Sequence, residues 1–297
     1  MNGFEGFDKH RFDIDGVSIA ARVGGDPAAP ALLLLHGFPQ THVMWRRVAQ
    51  ALRDRFRLVL PDLRGYGDSG RPPDTPDHAN YSKRAMANDL AGLMTQLGHA
   101  RFGVAGHDRG GRVAHRLALD HAERVSRLAL IDIVPTLDMY EATDMRLASA
   151  YHHWFHLIQP APLPERMIGG DAKFYLHWTL GSWGSQGLAA IEPQALAEYE
   201  RCFCRPEAIH AACEDYRAAA GIDLEHDRAS RAAGQRIACD TLVLWGEHGV
   251  VHRLFDPLAL WAAQCSARVS GEVMPAGHFI PEALPTELAH RLANFMR

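Results

Sequence analysis

Five short, uninterrupted apolar runs constrain this chain more than any other feature: residues 31–35, 58–60, 102–105, 128–131 and 242–245. A strand with no polar position in its alternation is covered on both faces, which is the situation of a parallel sheet between helices. Stretches with helical periodicity separate the runs, notably 43–52, 82–97 and 110–121, so the order is strand then helix, repeated. That order predicts a doubly wound sheet. Residues 12–14 and 17–23 read as an opening antiparallel hairpin turned at Asp15-Gly16, while 269–274 and 282–295 read as a last strand and helix. The expectation is an α/β fold with a mostly parallel eight-stranded sheet and helices on both faces.

From Pro135 to about Arg236 the strand signal stops and the segment is helical, aromatic and rich in histidine and tryptophan. We read 137–236 as a helical cap inserted after the sixth strand, and 1–136 with 237–297 as the core. At 297 residues and 47% hydrophobic content the chain is long enough to bury one large core and carry such an insert.

The formal charge of -4, with both signs interspersed, offers no basic face to nucleic acid or to an anionic membrane. No apolar run reaches the roughly 18 residues that span a bilayer, the opening Met-Asn-Gly-Phe-Glu lacks a secretory layout, and the five cysteines are spaced too thinly for a disulfide framework. The expected address is the cytoplasm. Cys202, Cys204, His210 and Cys213 do not match a common zinc spacing, so neither a metal nor another cofactor is expected.

The chemistry concentrates after the strand at 102–105, where Gly106-His107-Asp108-Arg109-Gly110-Gly111 opens a helix. G-x-nucleophile-x-G in a strand-turn-helix context is a nucleophile elbow, whose glycines leave space around a side chain thrust above the sheet. On this motif alone Asp108 reads more readily as an ordinary helix N-cap than as a nucleophile. Other residues decide the matter. His36-Gly37-Phe38-Pro39 follows the third strand, where a backbone N–H of an oxyanion hole belongs; Asp62-Leu63-Arg64-Gly65-Tyr66-Gly67-Asp68-Ser69 follows the fourth; Gly277-His278-Phe279 follows the last. Together these motifs resemble the α/β-hydrolase superfamily along nearly the whole chain. The triad acid that commonly follows the seventh strand is missing from Gly246-Glu247-His248-Gly249, so Asp132 at the end of the sixth strand is the expected partner of His278, with Glu247 as the fallback.

An aspartate nucleophile limits the reactions open to the site. Attack by a carboxylate on a saturated carbon makes an ester that water can cleave, whereas a serine would make an inert ether. Haloalkanes, epoxides and haloacids fit that chemistry. Arg109 and Arg112 discriminate among them: Arg112, four residues on, shares the helix face of Asp108, and two guanidiniums beside a nucleophile suit a substrate carboxylate. Haloalkane dehalogenases typically carry Trp directly after the nucleophile.

Asp-Arg-Gly-Gly-Arg at 108–112, His153-Trp154 and Tyr216 resemble the fluoroacetate dehalogenases. The resemblance implies that Arg109 and Arg112 hold the carboxylate of a small anionic haloacid, that His153, Trp154 and Tyr216 donate to the leaving fluoride, and that the protein is a homodimer. Phe38 and Trp183 are expected to line the pocket, although Trp178 is one helical turn from Trp183. Tyr151-His152-His153-Trp154-Phe155-His156 leaves open which histidine faces the site, and the His-Trp pair favours His153. The competing readings are an epoxide hydrolase or haloalkane dehalogenase with the same nucleophile, for the first of which Tyr216 alone is a poor match to paired cap tyrosines, and a catalytically dead binding module, which would not need nucleophile, base and acid together.

Overall fold

The computed structural model describes residues 3–184 and 186–297. Eight strands, β1 (Phe7–Ile14), β2 (Val17–Gly24), β3 (Ala31–Leu35), β4 (Arg57–Pro61), β5 (Phe102–His107), β6 (Val125–Ile131), β7 (Thr241–Gly246) and β8 (Val269–Met274), form one sheet in the order β1-β2-β4-β3-β5-β6-β7-β8. β1 and β2 form a hairpin, β2 meets β4 antiparallel, and every other pairing is parallel. The five apolar runs are the five central strands, and β3 is fully buried along its length because helices cover both faces.

The core helices are α1 (Arg46–Leu52), α2 (Lys83–Gln96) and α3 (Arg109–Asp120). The segment between β6 and β7 holds α4 (Thr136–Glu141), α5 (Met145–Ala150), α6 (His152–His156), α7 (Leu163–Gly170), α8 (Ala172–Ser182), α9 (Pro193–Phe203), α10 (Pro206–Ala220) and α11 (Ile222–Ala232). After β7 come α12 (Val250–Leu254), α13 (Pro257–Gln264), α14 (Ile280–Ala283) and α15 (Pro285–Phe295). No helix among the described residues is long and apolar enough to cross a membrane.

Three boundaries differ from the sequence reading. β1 begins at Phe7 rather than Phe12, because as an edge strand most of it is exposed and shows no alternation. The first helix opens with a 3-10 turn, His42–Trp45, whose N-cap is Thr41. The single C-terminal helix expected over 282–295 is two, since Pro285 has no N–H to continue α14 and instead supplies the first position of α15.

Candidate active site

The loops at the C-terminal ends of the strands assemble the site, as in open α/β sheets generally. At the end of β5 the chain turns so sharply that Asp108 takes φ 49° and ψ -119°, a region costly for a residue with a Cβ. Glycines make the turn feasible. A Cβ on Gly110 would lie 2.5 Å from the Leu35 carbonyl oxygen, and one on Gly37 would lie 2.6 Å from Asp108 Oδ1. The elbow thus needs small residues on both the nucleophile loop and the loop after β3.

The Phe38 N–H donates to Asp108 Oδ1 at 2.8 Å, so this loop already holds one carboxylate oxygen. His36 keeps the loop in place: its Nε2 accepts from the Leu63 N–H at 3.0 Å, which leaves Nδ1–H to donate to the Gly37 carbonyl at 3.1 Å. Burial pushes the Asp108 carboxyl up, but the fields of His278, His107, Arg109 and Arg112 outweigh it and hold the carboxyl below its usual range. Asp108 is therefore an anion at neutral pH.

His278 Nε2 stands 3.7 Å from Asp108 Oδ2, too far for a hydrogen bond, and has no hydrogen-bond partner among the described residues. On the ring's other side Nδ1 donates to Asp132 Oδ2 at 2.6 Å, and Asp132 Oδ1 accepts from the Gly246 N–H at 2.9 Å. Burial lowers the His278 pKa, yet the hydrogen bond to Asp132 and the charges of Asp132 and Asp108 raise it above the ordinary histidine value. Asp132 itself sits at φ 52°. The position after β7 lies beside this carboxylate: a Cβ on Gly249 would be 3.4 Å from Asp132 Oδ1, an ordinary contact. Glu247, the fallback, is exposed and has no bond to His278.

Arg109 and Arg112 are both buried, and each is partly tethered. Arg112 Nη1 donates to the Val134 carbonyl at 3.1 Å and to Thr136 Oγ1 at 2.9 Å, and its guanidinium lies 4.5 Å from the Trp154 ring centre. Arg109 donates Nε and Nη2 to the Asp215 carboxylate, both at 2.8 Å, and lies 4.1 Å over the Tyr216 ring. Arg109 Nη1 and Arg112 Nε are buried without a partner. Burial, then Arg109, lowers the Arg112 pKa, whereas Arg109 is raised despite burial because Asp215 faces it.

Among the cap histidines, His153 is the buried one; His152 is exposed and His156 half-buried. The His153 ring packs 4.1 Å from Trp183 and stacks parallel to Phe38 at 6.4 Å. Burial drives its pKa well below normal, which keeps it neutral, and drives the Tyr216 hydroxyl well above, which keeps it protonated. His153 Nδ1 and Tyr216 Oη are both buried without a hydrogen-bond partner. Both groups, like Arg109 and Arg112, lie within the field of the Asp108 carboxylate. The Trp183 ring packs against His153, Phe38 and His278, while Trp178 is 56% exposed and lines the same cavity as Trp183. A cavity of about 220 Å³ reaches His278 and Trp183 from a rim that includes His152, His248 and Arg253.

The structure brings Asp108, His278, Asp132, Arg109, Arg112, Phe38, His153, Trp154, Trp183 and Tyr216 into one contiguous group, and leaves Glu247 outside it. What sequence reasoning missed is Asp215 and the side chains behind it, Lys83 and Tyr66, together with His107, whose Nε2–H donates to the His278 carbonyl at 2.8 Å. Burial, then the nearby His278, pulls His107 down to about 3, so it serves this bond as a neutral ring.

Residues 30–282 match the model of the alpha/beta hydrolase fold family. A fluoroacetate dehalogenase from Burkholderia sp is 45% identical, over 99% of this chain and 95% of its own length. A soluble epoxide hydrolase from Corynebacterium sp. is 32% identical, over 86% of this chain and 85% of its own. An alpha/beta hydrolase-type structure from Nostoc sp PCC 7120 superposes with a TM-score of 0.95 at 52% identity, covering 98% of each chain. With the elbow, the His278-Asp132 pair and the sheet order already in hand, these similarities settle the assignment: the chain belongs to the alpha/beta hydrolase fold family, and within it resembles the fluoroacetate dehalogenase more than the epoxide hydrolase.

Proposed function

We propose that this protein hydrolyses small 2-haloacids, fluoroacetate to glycolate and fluoride, through an ester on Asp108. The observation that carries this reading is the set of four buried, unpartnered donors, Arg109 Nη1, Arg112 Nε, His153 Nδ1 and Tyr216 Oη, around a buried anion. Two belong to cations and suit a carboxylate. The other two belong to neutral groups and suit a leaving halide, together with the indole N–H of Trp154.

In the first step Asp108 Oδ2 attacks the α-carbon while Oδ1 stays on the Phe38 N–H; the C–F bond breaks and fluoride departs with its electron pair. In the second, His278 Nε2 takes a proton from water, whose oxygen adds to Asp108 Cγ. The Phe38 and Arg109 backbone N–H groups stabilise the resulting oxyanion. Collapse expels the glycolate alkoxide, which takes its proton from the His278 imidazolium, and the water's remaining proton leaves the Asp108 carboxyl for solvent, which regenerates the carboxylate. Asp132 fixes the ring orientation and favours the imidazolium that forms between these events. Residues 137–236 act as a lid that excludes water from the leaving halide.

Incubation with fluoroacetate, chloroacetate, 1-chlorobutane and styrene oxide tests the assignment. Halide from both haloacetates is expected, with little from the chloroalkane and little diol from the epoxide. Turnover of 1-chlorobutane at a comparable rate would remove the arginines from substrate recognition.

The homodimer is assigned to the outer face of the cap. Met167 on α7 and Phe174 and Trp178 on α8 are 63%, 65% and 56% exposed, and the last two rings stack on each other in the open. Large side chains grouped in this way mark contact surfaces. Sedimentation is expected to give a dimer that Phe174→Glu with Trp178→Glu converts to a folded monomer; a wild-type monomer at tens of micromolar would refute the assignment. The five cysteines are all free thiols, which fits a cytoplasmic protein, and cell fractionation checks that address.

A further inference from the structure

Arg109 reaches the proposed site with most of its hydrogen-bonding capacity already engaged. Its Nε and Nη2 meet Asp215 Oδ2 and Oδ1, Nη2 also meets the Asp215 carbonyl at 2.9 Å, and only Nη1 is unpaired. Asp215 is in turn held from behind by the Tyr66 hydroxyl, which donates at 2.6 Å, and by the Lys83 ammonium. Lys83 also meets Asp223 Oδ2 at 3.3 Å, and the Lys83 backbone N–H donates to Asp223 Oδ1 at 2.8 Å. The five side chains come from the loop after β4, from α2, α3, α10 and α11, and all five are nearly or fully buried. Two cations and two anions cancel within this cluster.

Cancellation distinguishes the two site arginines. The tethers of Arg112 are a carbonyl, a hydroxyl and the Met139 sulfur, all neutral, so its charge is free to act on a substrate anion. The charge of Arg109 is matched by Asp215, and what it offers the site is the two N–H bonds of Nη1, held in a fixed direction. Arg109 is also the chain neighbour of Asp108. An untethered guanidinium at this position has a second carboxylate within reach, the nucleophile itself, and a bidentate pair there would hold the attacking oxygen.

We propose that Asp215 is a positioning residue: it clamps the Arg109 guanidinium so that Nη1 alone faces the substrate and Asp108 Oδ2 stays free to attack. The clamp rests on the haloacid reading above. Asp215 and Tyr216 are adjacent on α10, so one helix register sets the clamp and also places the phenol beneath the guanidinium.

The test is single-turnover halide release, with enzyme in excess over fluoroacetate, in wild type and Asp215→Asn, each normalised to folded protein. Asp215→Asn is expected to slow release at least about tenfold while the substrate concentration that half-saturates the rate stays level or falls, because the freed fork now binds carboxylates more readily and attacks less well. Asp215→Glu keeps the charge and is expected to recover part of the rate. If Asp215→Asn does not fold, Tyr66→Phe, which removes one bond to the clamp, is expected to slow release about twofold to fivefold at unchanged half-saturation. A variant that loses folded protein but keeps the wild-type rate and half-saturation per folded molecule would overturn the proposal. So would a weakened half-saturation at full rate, since Asp215 would then serve binding. Wild type that releases no halide from any haloacetate would overturn the haloacid reading, and the clamp with it; active wild type with indifferent variants would overturn the clamp alone.

Discussion

His278→Asn is expected to release about one fluoride per active site from fluoroacetate and then stop, with a carboxymethyl group left on the peptide that contains Asp108. The first step moves no proton, and when His278 is replaced the charges of Arg109 and Arg112 still favour the ionised Asp108 carboxylate. The second step needs a base, and His278 Nε2, unpartnered and 3.7 Å from Asp108 Oδ2, is the group placed to act on a water beside the ester. Loss of that base leaves the ester stranded, so steady-state turnover falls by about 10²–10⁴, the range of general-base catalysis. The same division predicts two pH profiles in the wild type. His278 is a base only when neutral, and the hydrogen bond and charge of Asp132 push its pKa up while the Asp108 charge is absent from the ester, so ester hydrolysis climbs with pH over the interval in which the His278 ring loses its proton. Single-turnover halide release stays level over that interval. Continued turnover by His278→Asn, or unlabelled Asp108 after one wild-type turnover in heavy-oxygen water, would show that water attacks the substrate directly.

Much of this site could be read from the chain because its parts sit at strand ends, where the local pattern gives both the element and the position. The run at 102–105 followed by Gly106 and Gly110 identifies an elbow, and the absence of an acid at Gly249 directs attention to Asp132. The cap histidine was legible only through the His-Trp pair; burial of His153 against Phe38 and Trp183 makes the choice by packing, which periodicity in so short a helix does not reveal. Asp215 left no signal. It meets Arg109 from 106 positions away, in a helix where Glu214, Asp215 and Arg217 are all buried. Long-range ion pairs inside a core are invisible to spacing arguments, because neither partner's neighbours show that it is buried.

The same distinction alters what is expected of Arg112. From sequence it is a first-turn cation that opposes the helix dipole and that the helix can spare. In the structure it is buried, spans from α3 to the β6–α4 turn through Val134 and Thr136, and lies against Trp154. Replacement by leucine therefore acts twice: it removes the unmatched charge that meets the substrate, and it leaves a buried carbonyl without its donor. Loss of one member of a buried, hydrogen-bonded charge pair costs about 2–5 kcal/mol, so kcat/KM for fluoroacetate is expected to fall by about 30-fold to 4,000-fold. The unpaired Val134 carbonyl adds about 1–3 kcal/mol of lost stability, which appears as a lower Tm. Two controls separate these effects. Arg112→Lys keeps the charge but cannot serve both Thr136 and the substrate, and is expected to regain part of the affinity. Neutral chloroacetamide has no carboxylate to lose, so its slow turnover in the wild type should change far less in Arg112→Leu than that of chloroacetate. Equal losses for the acid and the amide, with KM for the acid unchanged, would make Arg112 a structural brace between α3 and the cap and leave the substrate carboxylate to Arg109 Nη1.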